Sequence, residues 1–204
     1  MKVLVTGGAG FIGSHIVDAL IEDGYEVVIV DDLSSGKEYN INEKAKFYKL
    51  DIQDPNLESI IEKERPDYMS HHAAQKDVRL SVSDPIYDAK INVLGTINIL
   101  QNCIKYKIKK IIFASTGGAI YGEQEVFPAP ETHPLRPISP YGITKLMAEH
   151  YMYYYKTIFD LDYASLRYSN VYGPRQDPHG EAGVVAIFIE KMLKGEQPII
   201  NGNG

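Results

Sequence analysis

The opening of the chain constrains its fold more than any other stretch. A stretch at residues 2–6 with an apolar centre at 3–5 ends in glycines at the spacing Gly7-x-x-Gly10-x-x-Gly13, and an amphipathic segment from about Phe11 to Glu22 follows at once. Because an apolar run, a glycine-rich turn and a helical period occur in this order, the sequence predicts a strand, a tight turn and a helix.

The three glycines of this turn suit the binding of a phosphate. Gly7 can take a backbone conformation closed to other residues, Gly10 lets a bulky anion approach the main chain, and Gly13 lets the helix pack close to the strand. The unpaired N–H groups and the dipole of the helix start then face the anion. Such a triplet also occurs in ordinary loops, so this prediction depends on the residues that follow.

A second apolar run, residues 26–30, ends in Asp31 and Asp32, roughly 20 residues past the glycines, where the adenosine ribose of a dinucleotide would lie. A carboxylate at that place accepts hydrogen bonds from both ribose hydroxyls and repels a 2′-phosphate. We therefore expect the cofactor to be NAD rather than NADP. The alternative is that both acids belong to a solvated turn.

Composition and charge bear on the class of protein. The 204 residues are 44% hydrophobic and 24% charged, enough for the core of one domain or somewhat more. The net charge of −6 argues against nucleic-acid binding. No apolar run approaches the ~20 residues that span a membrane, and no leader is expected before the first strand. The single Cys103 cannot form an internal disulfide, which favours the cytoplasm. We expect no metal, because His71 and His72 are neighbours on a strand and point to opposite faces.

Strand and helix patterns alternate along the rest of the chain. Strands are predicted at 46–50, 66–72, 110–114 and 162–168, helices at 55–64, 85–106, 140–159 and 183–194, a proline-rich loop at 127–140 and a candidate strand at 197–200. This alternation predicts an α/β fold with a doubly wound parallel sheet of the Rossmann type. Ligands of such sheets lie over the carboxyl ends of the strands. There the small residues Ala73 and Ala74, followed by Gln75, would let a cofactor lie close.

Tyr141 and Lys145 lie one helical turn apart on the same face of the helix predicted at 140–159. An ammonium close to a tyrosine favours the phenolate and lowers the pKa of the phenol, which can then exchange a proton with an alcohol near neutral pH. A hydroxyl of Ser115 or Thr116, at the end of the fifth strand, can hydrogen-bond the same alcohol oxygen. Together these groups predict hydride transfer at an alcohol carbon. The alternatives are a tyrosine–lysine pair that only packs and hydroxyls that only cap a turn.

Seven motifs occur in the order found in a known family. They are the glycine turn 7–13, Asp31-Asp32-Leu33-Ser34-Ser35-Gly36, Asp51-Ile52, His72-Ala73-Ala74-Gln75, Asn92-Val93-Leu94-Gly95-Thr96, Tyr141-x-x-x-Lys145 and the segment 167–175. With these motifs the whole chain resembles the extended short-chain dehydrogenases/reductases, and among them it is most similar to the UDP-glucose 4-epimerases.

The resemblance implies a set of cofactor contacts. Phe11 and Ile12 would line the pyrophosphate, Asp31 would hold the adenosine ribose, and Asp51 with Ile52 would flank the adenine. Asn92 would support the active site, and Lys145 would also bind the nicotinamide ribose. The other implied contacts to NAD are Gly7, Gly10, Gly13, Asp32, Leu33, Ser34, Ser35, Gly36, Ala73, Ala74, Gln75 and Tyr141.

The resemblance also implies an activity, the interconversion of UDP-glucose and UDP-galactose through a 4-keto intermediate. Tyr141 would take the proton of the sugar's 4-hydroxyl with help from Thr116. Asn170 would contact the phosphates of the UDP-sugar, and the helix start at Gly183 and Val184 would approach the nucleotide. The alternatives are another NAD-dependent UDP-sugar epimerase, a UDP-glucuronate decarboxylase and a non-catalytic NAD-sensing module.

The chain departs from the family pattern at two places. Gly117 and Gly118 lengthen the loop before Tyr121, so the catalytic hydroxyl is Ser115 or Thr116, and Thr116 is favoured. These glycines also replace the Asp-Glu pair of related dehydratases, which counts against dehydration. Members of the family usually continue well beyond this length, so we expect an NAD-binding domain at 1–175 and the start of a smaller, truncated substrate-binding domain at 176–204.

The expected partner is a second copy of the chain. The helices predicted near residues 85 and 140 resemble those that form a four-helix dimer interface in the family. Tyrosines crowd the second half of the later helix, at Tyr151 and residues 153–155. We expect a homodimer, and the alternative is that these tyrosines pack internally.

Overall fold

A computed structural model describes residues 1–179, 183–200 and 202 of the chain. Within them six strands form one parallel sheet in the order β3-β2-β1-β4-β5-β6. The strands are β1 (Lys2–Thr6), β2 (Glu26–Asp31), β3 (Lys46–Lys49), β4 (Tyr68–His71), β5 (Lys110–Thr116) and β6 (Asp162–Tyr168). The prediction of a doubly wound parallel sheet is confirmed.

The helices follow the predicted order with one addition and one interruption. They are α1 (Phe11–Glu22), α2 (Leu57–Glu64), α3 (Val78–Ser83), α4 (Pro85–Ala89), α5 (Thr96–Lys105), α6 (Pro140–Phe159) and α7 (Val184–Leu193), with a 3-10 turn at Glu38–Asn40. The helix predicted at 85–106 contains a π-helical segment, Lys90–Gly95, between α4 and α5. Helix α3 was not predicted.

Alternate residues of the strands bury opposite faces of the sheet. Leu4, Val28 and Met69 pack on the face covered by α2, α5 and α6. Val5 and Ile29 pack on the other face against Val17 of α1. Burial on both faces explains why these strands are continuous apolar runs in the sequence.

The strand order reverses between β1 and β4, so the turns that follow these two strands meet at the switch point of the sheet. Gly7 follows β1 with a φ of +70°, and a side chain there would place its Cβ 2.5 Å from the backbone nitrogen of Ala73. The turn after β1 therefore lies directly against the turn after β4, and a cleft opens above both.

The last segment is the least buried part of the fold. Helix α7 begins after Gly183 and buries none of its residues. The candidate strand at 197–200 is wrong, because these residues have no strand conformation; a strand needs a neighbour with which to pair. The domain boundary at residue 175 stays a prediction, and within the predicted second domain residues 180–182, 201, 203 and 204 lie outside the described part.

Candidate active site

A cleft of about 540 Å³ lies over the carboxyl ends of the strands. This volume is in the range of cofactor sites. It brings together most of the residues predicted from the sequence, namely Gly7, Gly10, Phe11, Ile12, Gly13, Asp31, Asp32, Ser34, Ser35, Asp51, Ile52, Ala73, Ala74, Gln75, Ser115, Thr116, Tyr141, Lys145, Asn170 and Gly183. Leu33, Gly36, Asn92 and Val184 do not line it.

The glycine turn has the geometry of an anion cradle. Gly7 donates its N–H to Val30 at 2.9 Å, which fixes the turn to the sheet, and Gly10 is the N-cap residue of α1. The first N–H groups of a helix have no acceptor within the helix and carry its positive dipole end. Phe11 and Ile12 stand at this helix start and line the cleft, so the turn fits a pyrophosphate.

Asp31 and Asp32 have different surroundings. Asp31 is buried, and its carboxylate accepts hydrogen bonds from the N–H groups of Ala9 at 3.0 Å and Leu33 at 2.8 Å. Burial raises the pKa of Asp31, while these two hydrogen bonds oppose the shift. Asp32 is exposed and accepts from the N–H and hydroxyl of Ser34. The buried Asp31 is therefore the better placed of the two to recognise a ribose.

Asn92 does not line the cleft but hydrogen-bonds the backbone of a residue that does. Its side-chain oxygen accepts from the N–H of Gln75 at 2.9 Å, and its side-chain nitrogen donates to the carbonyl of Gln75 at 2.9 Å. The amide thus satisfies both backbone groups of Gln75, a residue that lines the cleft. The π-helical segment that carries Asn92 is a feature often found at functional sites.

Tyr141 and Lys145 extend from the first turns of α6 toward the cleft. The Lys145 ammonium lies 5.9 Å from the centre of the Tyr141 ring and donates a hydrogen bond to the carbonyl of Ala114 at 3.0 Å. Burial lowers the pKa of Lys145 to about 8, opposed by the charge of Asp88. The backbone N–H of Tyr141 donates to the hydroxyl of Ser81 on α3 at 3.2 Å. The Tyr141 ring and the Lys145 ammonium are therefore neighbours at the cleft, as their spacing on the helix predicts.

The hydroxyls of Ser115 and Thr116 are not equivalent. Ser115 is buried, and its hydroxyl donates to the carboxylate of Glu149. That carboxylate also pairs with Arg167 at 2.8 Å. Thr116 is half-buried and lines the cleft, and its side chain has no hydrogen bond to any described residue. Of these two hydroxyls, only that of Thr116 is thus uncommitted among the described residues.

Sequence reasoning missed several residues of the cleft. His72 and Lys76 follow β4, and Tyr168 ends β6; all three line the cleft, and the His72 and Tyr168 rings stack with their centroids 6.4 Å apart. Helix α3 was missed although Asp77 caps it by accepting from the N–H of Leu80 at 2.9 Å. An aspartate at that place is a recognisable helix start, and it could have revealed the helix.

The described residues lack two kinds of feature. Their helices include none that is long and apolar enough to cross a membrane. Nor do these residues contain a group of three or more His, Cys, Asp or Glu side chains arranged to hold a metal.

Comparison with known proteins defines the class to which this fold and cleft belong. The model of the NAD dependent epimerase/dehydratase family matches residues 3–204, and the chain belongs to this family.

Within this family, individual relatives that match the chain are named as 4-epimerases of UDP-sugars. The UDP-glucose 4-epimerase of Mycolicibacterium smegmatis is 44% identical over 100% of this chain and 67% of its own length. The structure of the Thermotoga maritima UDP-glucose 4-epimerase with UDP-glucose matches with a TM-score of 0.98 and 57% identity, over 100% of this chain and 67% of that one. The structure of the UDP-N-acetylglucosamine 4-epimerase of Methanobrevibacter ruminantium in complex with UDP-N-acetylmuramic acid matches with a TM-score of 0.94 and 43% identity. The match covers 100% of this chain and 66% of that one. The chain spans 66% and 67% of the length of two of the curated relatives that it matches, and between 53% and 59% of the length of six others.

Proposed function

We propose that this chain is the NAD-binding part of a UDP-glucose 4-epimerase, which interconverts UDP-glucose and UDP-galactose. The observation that carries the proposal is the meeting of the Tyr141–Lys145 pair and Thr116 in the cleft that also contains the glycine turn and Asp31. The similarity to UDP-glucose 4-epimerases along the whole chain supports this choice among the reactions of the family.

The residues of the cleft fit NAD. The start of α1 offers N–H groups to the pyrophosphate, and Asp31 offers a carboxylate to the ribose. When bound, NAD supplies a reversible acceptor for the hydride of the sugar's carbon 4. Since the same hydride returns to the sugar, no external oxidant or reductant is consumed.

The chain's own side chains move the proton in this proposal. Tyr141, as a phenolate stabilised by the Lys145 ammonium, takes the proton of the 4-hydroxyl and returns it after the 4-keto sugar has turned in the site. Thr116 donates a hydrogen bond to the same oxygen. Asn170 lines this cleft and also a second one of about 970 Å³ next to it, which supports its role in holding the UDP-sugar.

The experiment is the incubation of the full-length protein with UDP-galactose and no added reductant, followed by NMR detection of UDP-glucose. Conversion is the expected result, and the Tyr141→Phe variant is the matched control. Absence of conversion in a protein that binds NAD would contradict the proposed substrate. Carbon dioxide released from UDP-glucuronate would then favour a decarboxylase, and binding of NAD without any turnover would favour a sensing module.

A second candidate is the epimerisation of an N-acetylated UDP-hexose. The observation in its favour is the similarity to the Methanobrevibacter ruminantium enzyme over the whole of this chain. Incubation with UDP-N-acetylglucosamine tests it, and a higher kcat/KM than for UDP-glucose would favour it over the first candidate.

We also propose that the protein forms a homodimer through α4 and α6. Ile143, Met147, Tyr154 and Ile158 are exposed and recur on one face of α6, while Ile86 and Leu94 are exposed near α4. Tyr155, by contrast, is buried within the subunit. Light scattering at micromolar concentration tests the proposal, and a monomer would contradict it.

The cytoplasm is the proposed location. Cys103 is free and buried, which suits a reducing compartment. Fractionation of cells that express the protein tests this proposal.

A further inference from the structure

Asp88 is a fully buried acid that lies behind the candidate active site. Its exposed fraction is 0%, and its carboxylate accepts hydrogen bonds from three neutral side chains. The donors are the hydroxyl of Thr144 at 2.6 Å, the amide of Gln75 at 2.8 Å and the amide of Asn92 at 3.1 Å. Because none of these partners is charged, the hydrogen bonds stabilise the carboxylate without cancelling its charge.

The three donors tie together the elements that form the site. Thr144 directly precedes Lys145 on α6, Gln75 lines the cleft after β4, and Asn92 holds the backbone of Gln75. Asp88 itself lies on α4. The buried negative charge is therefore held in a fixed position beside the helical turn that carries Lys145.

A nearby negative charge favours the protonated form of Lys145, because burial disfavours an ammonium and Lys145 is itself almost fully buried. Its ammonium donates to the carbonyl of Ala114 and lies 4.9 Å from the centre of the Phe113 ring. Burial lowers the pKa of Lys145 to about 8, and the charge of Asp88 opposes this shift. Without that opposition the lysine would lose its proton at a lower pH.

The other titratable groups around Lys145 do not replace Asp88. His71 at the end of β4 and His72 directly after it interact with Lys145, and Tyr141 lies on the same helix as Lys145. Burial lowers the pKa of His71 well below its usual value and that of His72 to about 4, so both imidazoles are neutral at neutral pH. Tyr141 becomes negative only as the phenolate that Lys145 stabilises, so while the phenol is neutral Asp88 supplies the negative charge among these groups.

We propose that Asp88 is a positioning residue that keeps the Lys145 ammonium charged through the field of its buried carboxylate. Lys145 can then hold Tyr141 as a phenolate at neutral pH. The part of this inference that concerns catalysis rests on the proposed function, in which Tyr141 and Lys145 are the acid–base pair of the reaction. Its physical content, the charge state of Lys145, can be measured without any turnover.

The test is an NMR pH titration of the Lys145 side-chain nitrogen in the full-length, NAD-bound protein, with the signal assigned by its loss in Lys145→Met. We expect the wild-type signal to titrate at a pH of about 8. In Asp88→Asn, which has nearly the same shape but no charge, the midpoint should fall by about one pH unit or more. The same midpoint in both proteins would overturn the inference.

Thr144→Val separates the effect of charge from that of packing. This variant loses the hydrogen bond to Asp88 but keeps the carboxylate, so the titration midpoint should stay near the wild-type value. A shift as large as that of Asp88→Asn would overturn the inference. If Asp88→Asn does not fold, Asp88→Ser provides a second neutral variant with a hydroxyl that can accept a hydrogen bond.

The kinetics connect this titration to the reaction. The alkaline limb of the kcat profile for epimerisation should move to lower pH in Asp88→Asn by the same amount as the NMR midpoint. An alkaline limb that stays in place while the NMR midpoint moves would overturn the claim that Asp88 affects the reaction through the charge of Lys145. A wild-type protein that converts no UDP-sugar would overturn the proposed function, and the NMR titration would still decide whether Asp88 controls the charge of Lys145.

Discussion

The backbone of Gly13 approaches that of Gly7 so closely that a Cβ on Gly13 would lie 2.1 Å from the carbonyl oxygen of Gly7. No side chain fits at such a distance, so the start of α1 can rest on the turn after β1 only with glycine at this position. The packing also aims the first N–H groups of α1 at the cleft.

Replacing Gly13 should therefore damage both stability and cofactor binding. We expect Gly13→Ala to lower the free energy of unfolding by roughly 1–3 kcal/mol and to weaken NAD binding, because the helix start must move. The control is Gly118→Ala, where the nearest atom to an added Cβ is 3.9 Å away. Thermal unfolding and NAD titration measure the two effects, and equal results for both variants would contradict the prediction.

Asp31 should determine the choice between NAD and NADP. Its buried carboxylate is fixed by the N–H groups of Ala9 and Leu33. In Asp31→Asn the negative charge that repels a 2′-phosphate is gone, and one of the two oxygens that accept from Ala9 and Leu33 is replaced by an NH2 group, which only donates. We expect about a tenfold loss of NAD affinity and a weaker preference over NADP, measured by calorimetry. The comparison is Asp32→Asn, for which we expect a smaller loss; the reverse order would contradict this assignment.

Tyr141 should be essential for turnover. Phenylalanine keeps the ring beside Lys145 but removes the hydroxyl that exchanges the proton. We expect Tyr141→Phe to lower kcat by on the order of 100- to 10,000-fold and to leave NAD binding nearly intact. The control is Tyr39→Phe, because Tyr39 is 82% exposed and does not line the cleft. A Tyr141→Phe enzyme that keeps most of its activity would rule out the phenol as the catalytic base.

Removing the hydroxyl of Thr116 should lower activity, whereas removing that of Ser115 should lower stability. Thr116→Val removes a hydroxyl that lines the cleft and has no hydrogen bond to any described residue, so kcat should fall by about 10- to 100-fold with little change in stability. Ser115→Ala removes the donor to Glu149, so the free energy of unfolding should fall by about 1 kcal/mol while kcat changes less. Steady-state kinetics and denaturant unfolding of both variants test this assignment. The opposite pattern would make Ser115 the catalytic hydroxyl.

The sheet could be predicted because each strand is recognisable from its own few residues. Apolar runs of strand length, such as residues 26–30, alternate with helical periods, and a cap such as Ser139 fixes a helix start at Pro140. The π-helical turn at Asn92 has no such local signal, because its place depends on packing against other elements. Here a close neighbour is Ile52, whose side chain lies within 3 Å of where a Cβ on Gly95 would stand.

The choice between Ser115 and Thr116 shows the same limit within the site. Both are hydroxyl residues at the end of β5, and period-2 alternation places them on opposite faces without saying which face is the cleft. What favours Thr116 is a contact of Ser115 with Glu149 on α6, 34 positions further along the chain, whose carboxylate accepts from the Ser115 hydroxyl. A contact between residues so far apart along the chain produces no recognisable pattern in the local sequence.

Glu64 should make the stability of the fold depend on acid pH. Burial raises its pKa, but hydrogen bonds from Lys46, Tyr48 and Lys2 outweigh this and lower the pKa of Glu64 from 4.5 to about 2. A carboxyl whose pKa is lower in the folded state stabilises the fold above its unfolded value and loses that contribution as the pH falls through its folded value. The free energy of unfolding should therefore decrease as the pH falls from about 4.5 to about 2.

Glu64→Gln isolates this contribution. We expect the variant to be about 1–2 kcal/mol less stable than the wild type at neutral pH, allowing for solvent screening of the exposed Lys46, and the difference to shrink as the pH approaches 2. Glu62→Gln, an exposed residue on the same helix, is the matched control. Denaturant unfolding at a series of pH values measures both. A difference between wild type and Glu64→Gln that stays constant over this range would show that the carboxylate contributes by packing rather than by its charge.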